Sequence, residues 1–198
     1  RGIAQLFLQA GHEVRLYDSH DAAVAEACAF VGSMLDRQVE KGSLAGEARD
    51  AMAGRLHACG ALADLAGCAV VIEAIVENLA VKQGLFREVE AVVSPDCILA
   101  SNTSSLLISA IAAGCARPER LAGLHFLNPV PLMRIAEVIS GIRTDPAVAA
   151  RLRALVEGAG HRAVSAADQP GFLINHAGRA LYTEGLRVVE ESVTDYAG

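Results

Sequence analysis

The run from Ala69 to Ala74, AVVIEA, constrains this chain more than any other stretch. It is apolar without alternation, broken only by Glu73. A half-solvated strand alternates apolar and polar residues, whereas a strand covered on both faces does not. Ala69 to Ala74 therefore reads as a strand inside a parallel sheet, with helices on either side. A second such run, Cys97 to Ala100, follows a helical pattern over Asn78 to Val93 and a Pro95-Asp96 turn. Strand, helix and strand at this spacing make a βαβ unit.

The rest of the chain extends that pattern. Gly2 to Ala10 reads as a helix with Ile3, Leu6, Phe7 and Ala10 on one face, stopped by Gly11. Glu13 to Tyr17 reads as a strand ending at Asp18. From Ser19 to Gly42 the recurrence of Val24, Cys28, Val31, Leu35 and Val39 is helical. Ala45 to about Leu56 reads as the return arm of a helical hairpin. Another helix is expected near Leu106 to Ala113, and Asp145-Pro146 opens one that runs to about Gly158. Arg162 to Val164 is a short strand candidate. After a hinge at Gln169-Pro170-Gly171, Phe172 to Val193 reads as a long helix.

The chemistry concentrates between Ile98 and Ile139. There, Ser-Asn-Thr-Ser-Ser closes a strand, on the side where open α/β sheets place their ligands. His125 ends a strand that begins at Leu121, and Pro129 and Pro131 keep that run from continuing. Glu137 lies between Ile135 and Ile139 at period two, so all three share one strand face. A carboxylate there needs a partner, and His125 is the nearest candidate. A histidine held by a carboxylate is a common construction for a general base near neutral pH. The two strands are too close in sequence for a crossover helix, so this end of the sheet should turn antiparallel.

Composition limits the function classes. A net charge of −6 without Lys/Arg clusters argues against nucleic acid as a partner. No run of apolar residues is long enough to span a membrane, so none is expected as a partner. Cys28, Cys59, Cys68, Cys97 and Cys115 form no C-x-x-C pair, which points to reduced thiols in an intracellular, cytoplasmic setting and to no metal site.

The opening helix, Gly11, the strand and Asp18 together read as the second half of a dinucleotide-binding βαβ unit. Asp18 is then the residue that meets the adenosine ribose, with the glycine-rich phosphate loop expected just before Arg1. A strand and loop of about 10–20 further residues are expected upstream. Each remaining candidate has an ordinary role when taken alone. Glu77 and Lys82 could serve a helix start, the serines could be caps, and Asn175 could bond backbone.

Taken together, GIAQLFLQAGHEVRLYD, VVIEAIVENLAVKQGLF, ASNTSSL, LAGLHFLNPVPLMRIAEVI and PGFLINH resemble the N-terminal domain of the 3-hydroxyacyl-CoA dehydrogenases, in order and over nearly the whole chain. The resemblance implies a Rossmann-type, doubly wound, mostly parallel α/β sheet with an inserted helical hairpin. Residues 1–169 would form the NAD-binding domain and 170–198 the start of an all-helical domain. It implies NAD-dependent oxidation of an (S)-3-hydroxyacyl-CoA, with His125 as base, Glu137 orienting it, and Ser104 and Asn175 completing the catalytic group. Asp18, Glu77, Lys82, Ser104 and Asn128 would lie around NAD, and Ser33 and Lys41 would face coenzyme A. A homodimer through the helical domain is expected. Two other readings are a non-enzymatic NAD-binding or structural protein on the same fold and a dehydrogenase of a small 3-hydroxy acid. The presence of both His125 and Glu137 argues against the former, and the long hairpin against the latter.

Overall fold

The computed structural model describes residues 1–195. The last three residues of the expected helical unit, 196–198, lie outside the described residues.

The chain opens with α1 (Gly2–Gln9), which buries Ala4, Leu6, Phe7 and Leu8 and is followed by Gly11 at φ +92°, a left-handed conformation that suits glycine. Strand β1 (Val14–Leu16) leads into α2 (Asp21–Glu40), which buries Val24, Val31 and Leu35. The return arm α3 (Gly46–Ala53) buries no residue fully. Next comes β2 (Leu56–Ala58), which pairs in parallel with β1 in the register Val14 to Leu56. This corrects the sequence expectation of a helix to Leu56. The three-residue segment Leu-His-Ala has no readable period, and it is a strand because β1 offers it a partner.

A five-stranded sheet follows, in the order β3 (Val70–Glu73), β4 (Ile98–Ser101), β5 (Leu121–Phe126), β6 (Ile135–Ser140) and β7 (Arg162–Ala167). All neighbours are parallel except β5 and β6, which are antiparallel as their short connection requires. Helix α4 (Leu79–Val92) starts where the Asn78 side chain accepts from the Val81 amide at 3.1 Å. Helix α6 (Pro146–Gly158) starts where Asp145 accepts from the Ala147 amide at 2.8 Å. Helix α5 (Ile108–Ala112) lies so close to β5 that a Cβ on Gly123 would meet Ile108 Cδ1 at 2.8 Å. The last described helix is α7 (Phe172–Glu190), three residues short of the sequence expectation, with Ser192 at φ 58° just beyond it.

Residues along β4 and β5 alternate between cores on opposite faces. Ile98, Ala100, Ala122 and Leu124 join Leu6, Phe7, Leu152 and Val156 on one side. Leu99 and Leu121 join Phe86, Val89, Ile108 and Ile111 on the other. Both faces are covered, so the apolar runs carry no polar alternation. A slot separates the edges of β1 and β3. It is about 1060 Å³ in volume, lined by Val14, Leu16, Val70 and Ile72 from the strands and roofed by Phe7 and Leu155.

Candidate active site

The site is assembled where β3, β4 and β5 end and where α7 begins. Register places His125 of β5 directly opposite Glu137 of β6. His125 Nδ1 lies 2.7 Å from Glu137 Oε2, with the side chains 6% and 0% exposed. The other carboxylate oxygen, Oε1, accepts from the backbone amides of Leu173 at 2.8 Å and Ile174 at 3.0 Å. A carboxylate oxygen facing Nδ1 is an acceptor suited to the tautomer that carries its proton on Nδ1. In the neutral ring that leaves Nε2 with a free lone pair. Glu137 also replaces a missing cap: Gly171 precedes α7 and has no side chain to bond the first amides.

A second network of charges lies at the ends of β3 and β4. Glu73, the last residue of β3, accepts from the Ile75 amide at 2.7 Å, Lys82 Nζ at 2.6 Å and Ser101 Oγ at 2.6 Å. Lys82 is 1% exposed, and its Nζ also lies 3.3 Å from Glu77 Oε2. Burying an ammonium group costs several kcal/mol, on the order of the Coulomb gain from a single partner. Two carboxylates together offset it. Lys82 thus directs its charge into the protein.

Glu77 Oε1 receives the Thr103 hydroxyl, the Ser104 amide at 3.2 Å, the Ser105 amide at 3.1 Å and the Ser105 hydroxyl at 2.8 Å. Burial alone would raise its pKa, but the Thr103 and Ser105 hydroxyls and Lys82 outweigh that effect and hold it at about 2. The loop 102–105 is therefore wrapped around a permanent anion. Asn102 fixes its other side, donating its amide to the Glu73 carbonyl at 2.8 Å and accepting from the Phe126 amide at 2.9 Å.

Ser104 is exposed, and its carbonyl accepts from Asn175 Nδ2 at 3.0 Å. One turn of α7 thus touches both catalytic candidates from the sheet, Glu137 through its amides and Ser104 through Asn175. Upstream of α7, Asp168 accepts from the Ile108 and Ser109 amides, at 2.7 and 2.9 Å, and from the Ser109 hydroxyl at 2.6 Å. The sequence reading missed Glu73, Asn102 and Asp168. A lone acid at the C-terminal end of a covered strand was a visible signal for Glu73. Nothing local marked Asp168, whose partners lie some sixty residues away.

The remaining candidates stand apart from this cluster. Asp18 lies beyond the end of β1, half-buried, and accepts from the His20 amide at 2.9 Å. It borders a cleft of about 430 Å³, also lined by Tyr17, Val71, Ile75 and Leu85. An apolar floor with a carboxylate at its edge fits an adenosine group. Arg15 borders the same cleft, but its guanidinium donates to the Asp64 carbonyl. Asn128 is exposed in the β5–β6 turn. Ser33 and Lys41 are exposed on the hairpin, Ser33 bonding the Phe30 carbonyl at 2.9 Å. Burial raises the thiol of Cys97 to about 11 and that of Cys115 to about 12, which leaves both protonated and poorly nucleophilic. No cluster of three or more metal-ligating side chains is found among the described residues. No described helix is long and apolar enough to cross a membrane.

A doubly wound sheet with its polar residues gathered at the ends of β3, β4 and β5 is the architecture of a dinucleotide-binding domain. The family model described as "3-hydroxyacyl-CoA dehydrogenase, NAD binding domain" matches residues 1–169. The chain belongs to the 3-hydroxyacyl-CoA dehydrogenase family, and its matched part is the NAD-binding domain. It is 39% identical over 192 residues to the 3-hydroxyadipyl-CoA dehydrogenase of Escherichia coli K12, covering 97% of this chain and 40% of that one. It is 38% identical to a probable 3-hydroxybutyryl-CoA dehydrogenase of Deinococcus radiodurans, covering 98% of this chain and 69% of that protein. The solved (S)-3-hydroxybutyryl-CoA dehydrogenase of Ralstonia eutropha superposes with a TM-score of 0.94 at 33% identity, covering 99% of this chain and 69% of that one.

Proposed function

We propose that the protein oxidises an (S)-3-hydroxyacyl-CoA to the 3-oxoacyl-CoA, reversibly, with NAD as hydride acceptor. The observation that carries this reading is the His125–Glu137 pair, in which Nδ1 faces the carboxylate and Nε2 is left to act as base. His125 takes the 3-hydroxyl proton through Nε2. Glu137 holds the ring in that tautomer and stabilises the imidazolium as it forms. Ser104, exposed on a loop fixed around Glu77, holds the substrate oxygen, and Asn175 from α7 steadies that loop. The chemistry NAD would supply there is acceptance of the hydride from C3. Asp18 binds the adenosine ribose, Asn128 lies near the cofactor, and Ser33 and Lys41 face coenzyme A. Glu77 and Lys82 act on the NAD side by shaping the 102–105 loop.

The same reading assigns residues 1–169 to the NAD-binding domain and those from 170 onward to a helical one. It also predicts a cytoplasmic homodimer, in which Leu181, Tyr182 and Leu186, 78%, 78% and 65% exposed on α7, become covered. A monomeric mass in sedimentation equilibrium would refute the dimer. The decisive test is turnover of a 3-oxoacyl-CoA with NADH by the parent and by His125→Gln. Loss of the base should cost about 10²–10⁴-fold in kcat. Equal turnover by the two would overturn the assignment.

A further inference from the structure

Phe172 is the first residue of α7, and three observations single it out. Its φ of 50° lies in the left-handed region, uncommon for a residue with a side chain. It is 3% exposed, so the side chain is an anchor and no loop tip. Its ring centroid stands 5.8 Å from that of His125 at an interplanar angle of 57°. The residues that follow, Leu173 and Ile174, are the ones whose amides reach Glu137 Oε1. Gly171 before it is also left-handed, at φ +84°, so the chain reverses sharply just before the helix axis is set.

We propose that Phe172 is a positioning residue for the dyad: its left-handed backbone aims the first amides of α7 at Glu137, and its buried ring packs beside His125. Glu137 has two oxygens, and the one facing His125 is held in place by what the other one binds. A carboxylate tied at Oε1 by two amides cannot rotate about its terminal bond, so Oε2 stays on Nδ1. If α7 moved away, Oε1 would lose both donors and the dyad would be free to rotate. The ring of Phe172 secures the docking from the apolar side. The base is therefore complete only while the first turn of α7 is seated. This rests on the catalytic reading of His125, but the contact itself does not.

The test separates the two. Phe172→Asn tolerates a left-handed backbone and removes the ring, while Phe172→Leu retains an apolar anchor. The first readout, taken on this chain labelled with ¹⁵N-histidine and without substrate, is the low-field Nδ1–H resonance of His125, which reports its hydrogen bond to Glu137. It should be lost or broadened in Phe172→Asn and retained in Phe172→Leu. The second readout is steady-state kinetics on the natural polypeptide. In Phe172→Asn, kcat should fall about 10²-fold with the KM for NAD unchanged, as expected for a displaced catalytic group, and Phe172→Leu should recover most of it. A merely structural anchor would lower the melting temperature and leave the resonance of the folded protein as it was. That outcome, or unchanged kcat in Phe172→Asn, would overturn the proposal. If Phe172→Asn does not fold, Gly171→Ala is read by the same resonance. Its added Cβ would sit 3.3 Å from Asn175 Cβ and push on the same turn. A resonance that responds in a protein without turnover would support the positioning role and refute the activity instead.

Discussion

The ends of β3, β4 and β5 and the region beyond β1 both carry residues suited to a dehydrogenase, in opposite conditions. In the first region the side chains satisfy one another. Glu73 serves Lys82 and Ser101, Glu77 serves the 103–105 loop, and Glu137 serves His125 and α7. In the second, Asp18 accepts from an amide two residues away, and Ser33 bonds its own helix. The first region is organised by the protein before any ligand arrives. The second is the one we propose a ligand organises. Substitutions should therefore reduce rate and stability in one region and affinity in the other.

The strongest way to break that contrast is Glu137→Gln. An amide has one accepting oxygen. If that oxygen keeps the α7 amides, the NH₂ group faces Nδ1 and forces the proton onto Nε2, the wrong tautomer for the base. Turnover should fall about 10²–10⁴-fold with NAD affinity retained. Near-parental kcat would show that the dyad geometry does not matter to the rate.

Lys82→Met comes next. It leaves Glu73 buried without its cation, and breaking such a pair costs about 3–5 kcal/mol. Urea unfolding measures this, and a loss under about 1 kcal/mol, typical of exposed pairs, would mean that the network is not structural.

Asp18→Ala should sharpen the contrast from the other side. Loss of hydrogen bonds to a charged group, worth about 1.5–3 kcal/mol, should weaken NAD about 10–100-fold with unchanged unfolding. Asp18 should also exclude NADP, whose 2′-phosphate it would repel. Equal turnover with NADP would remove Asp18 from the ribose site.

The smallest effect is expected in acid. Folding depresses the Glu77 pKa from 4.5 to about 2, so its contribution is full above about 4.5 and lost as pH falls through about 2. Glu77 is 36% exposed, so solvent screening keeps the effect small. Urea midpoints across that window should fall more in the parent than in Glu77→Gln, and parallel curves would contradict the assignment.

Local chemistry explains what could be read in advance. Asp145-Pro146 is a complete helix start within two residues, and α6 begins there. His125 and Glu137 lie on strands joined by a short turn, so period and distance alone pair them. Segments that depend on distant partners were not legible. Leu56–Ala58 is a strand only because of β1, and Asp168 caps a helix sixty residues away. Lys82 reads as a solvated helix lysine until the fold brings Glu73 to it. What the sequence underdetermines here is which group each buried charge meets.

The slot between β1 and β3 has a consequence for handling the protein. The edge of β1 away from β2, and that of β3 away from β4, present unpaired backbone donors and acceptors beside apolar side chains. Edges of this kind recruit extended segments from other molecules. Two such edges facing each other across one slot suit a single extended segment. With an extended segment seated there, both edges are sealed and that route is closed.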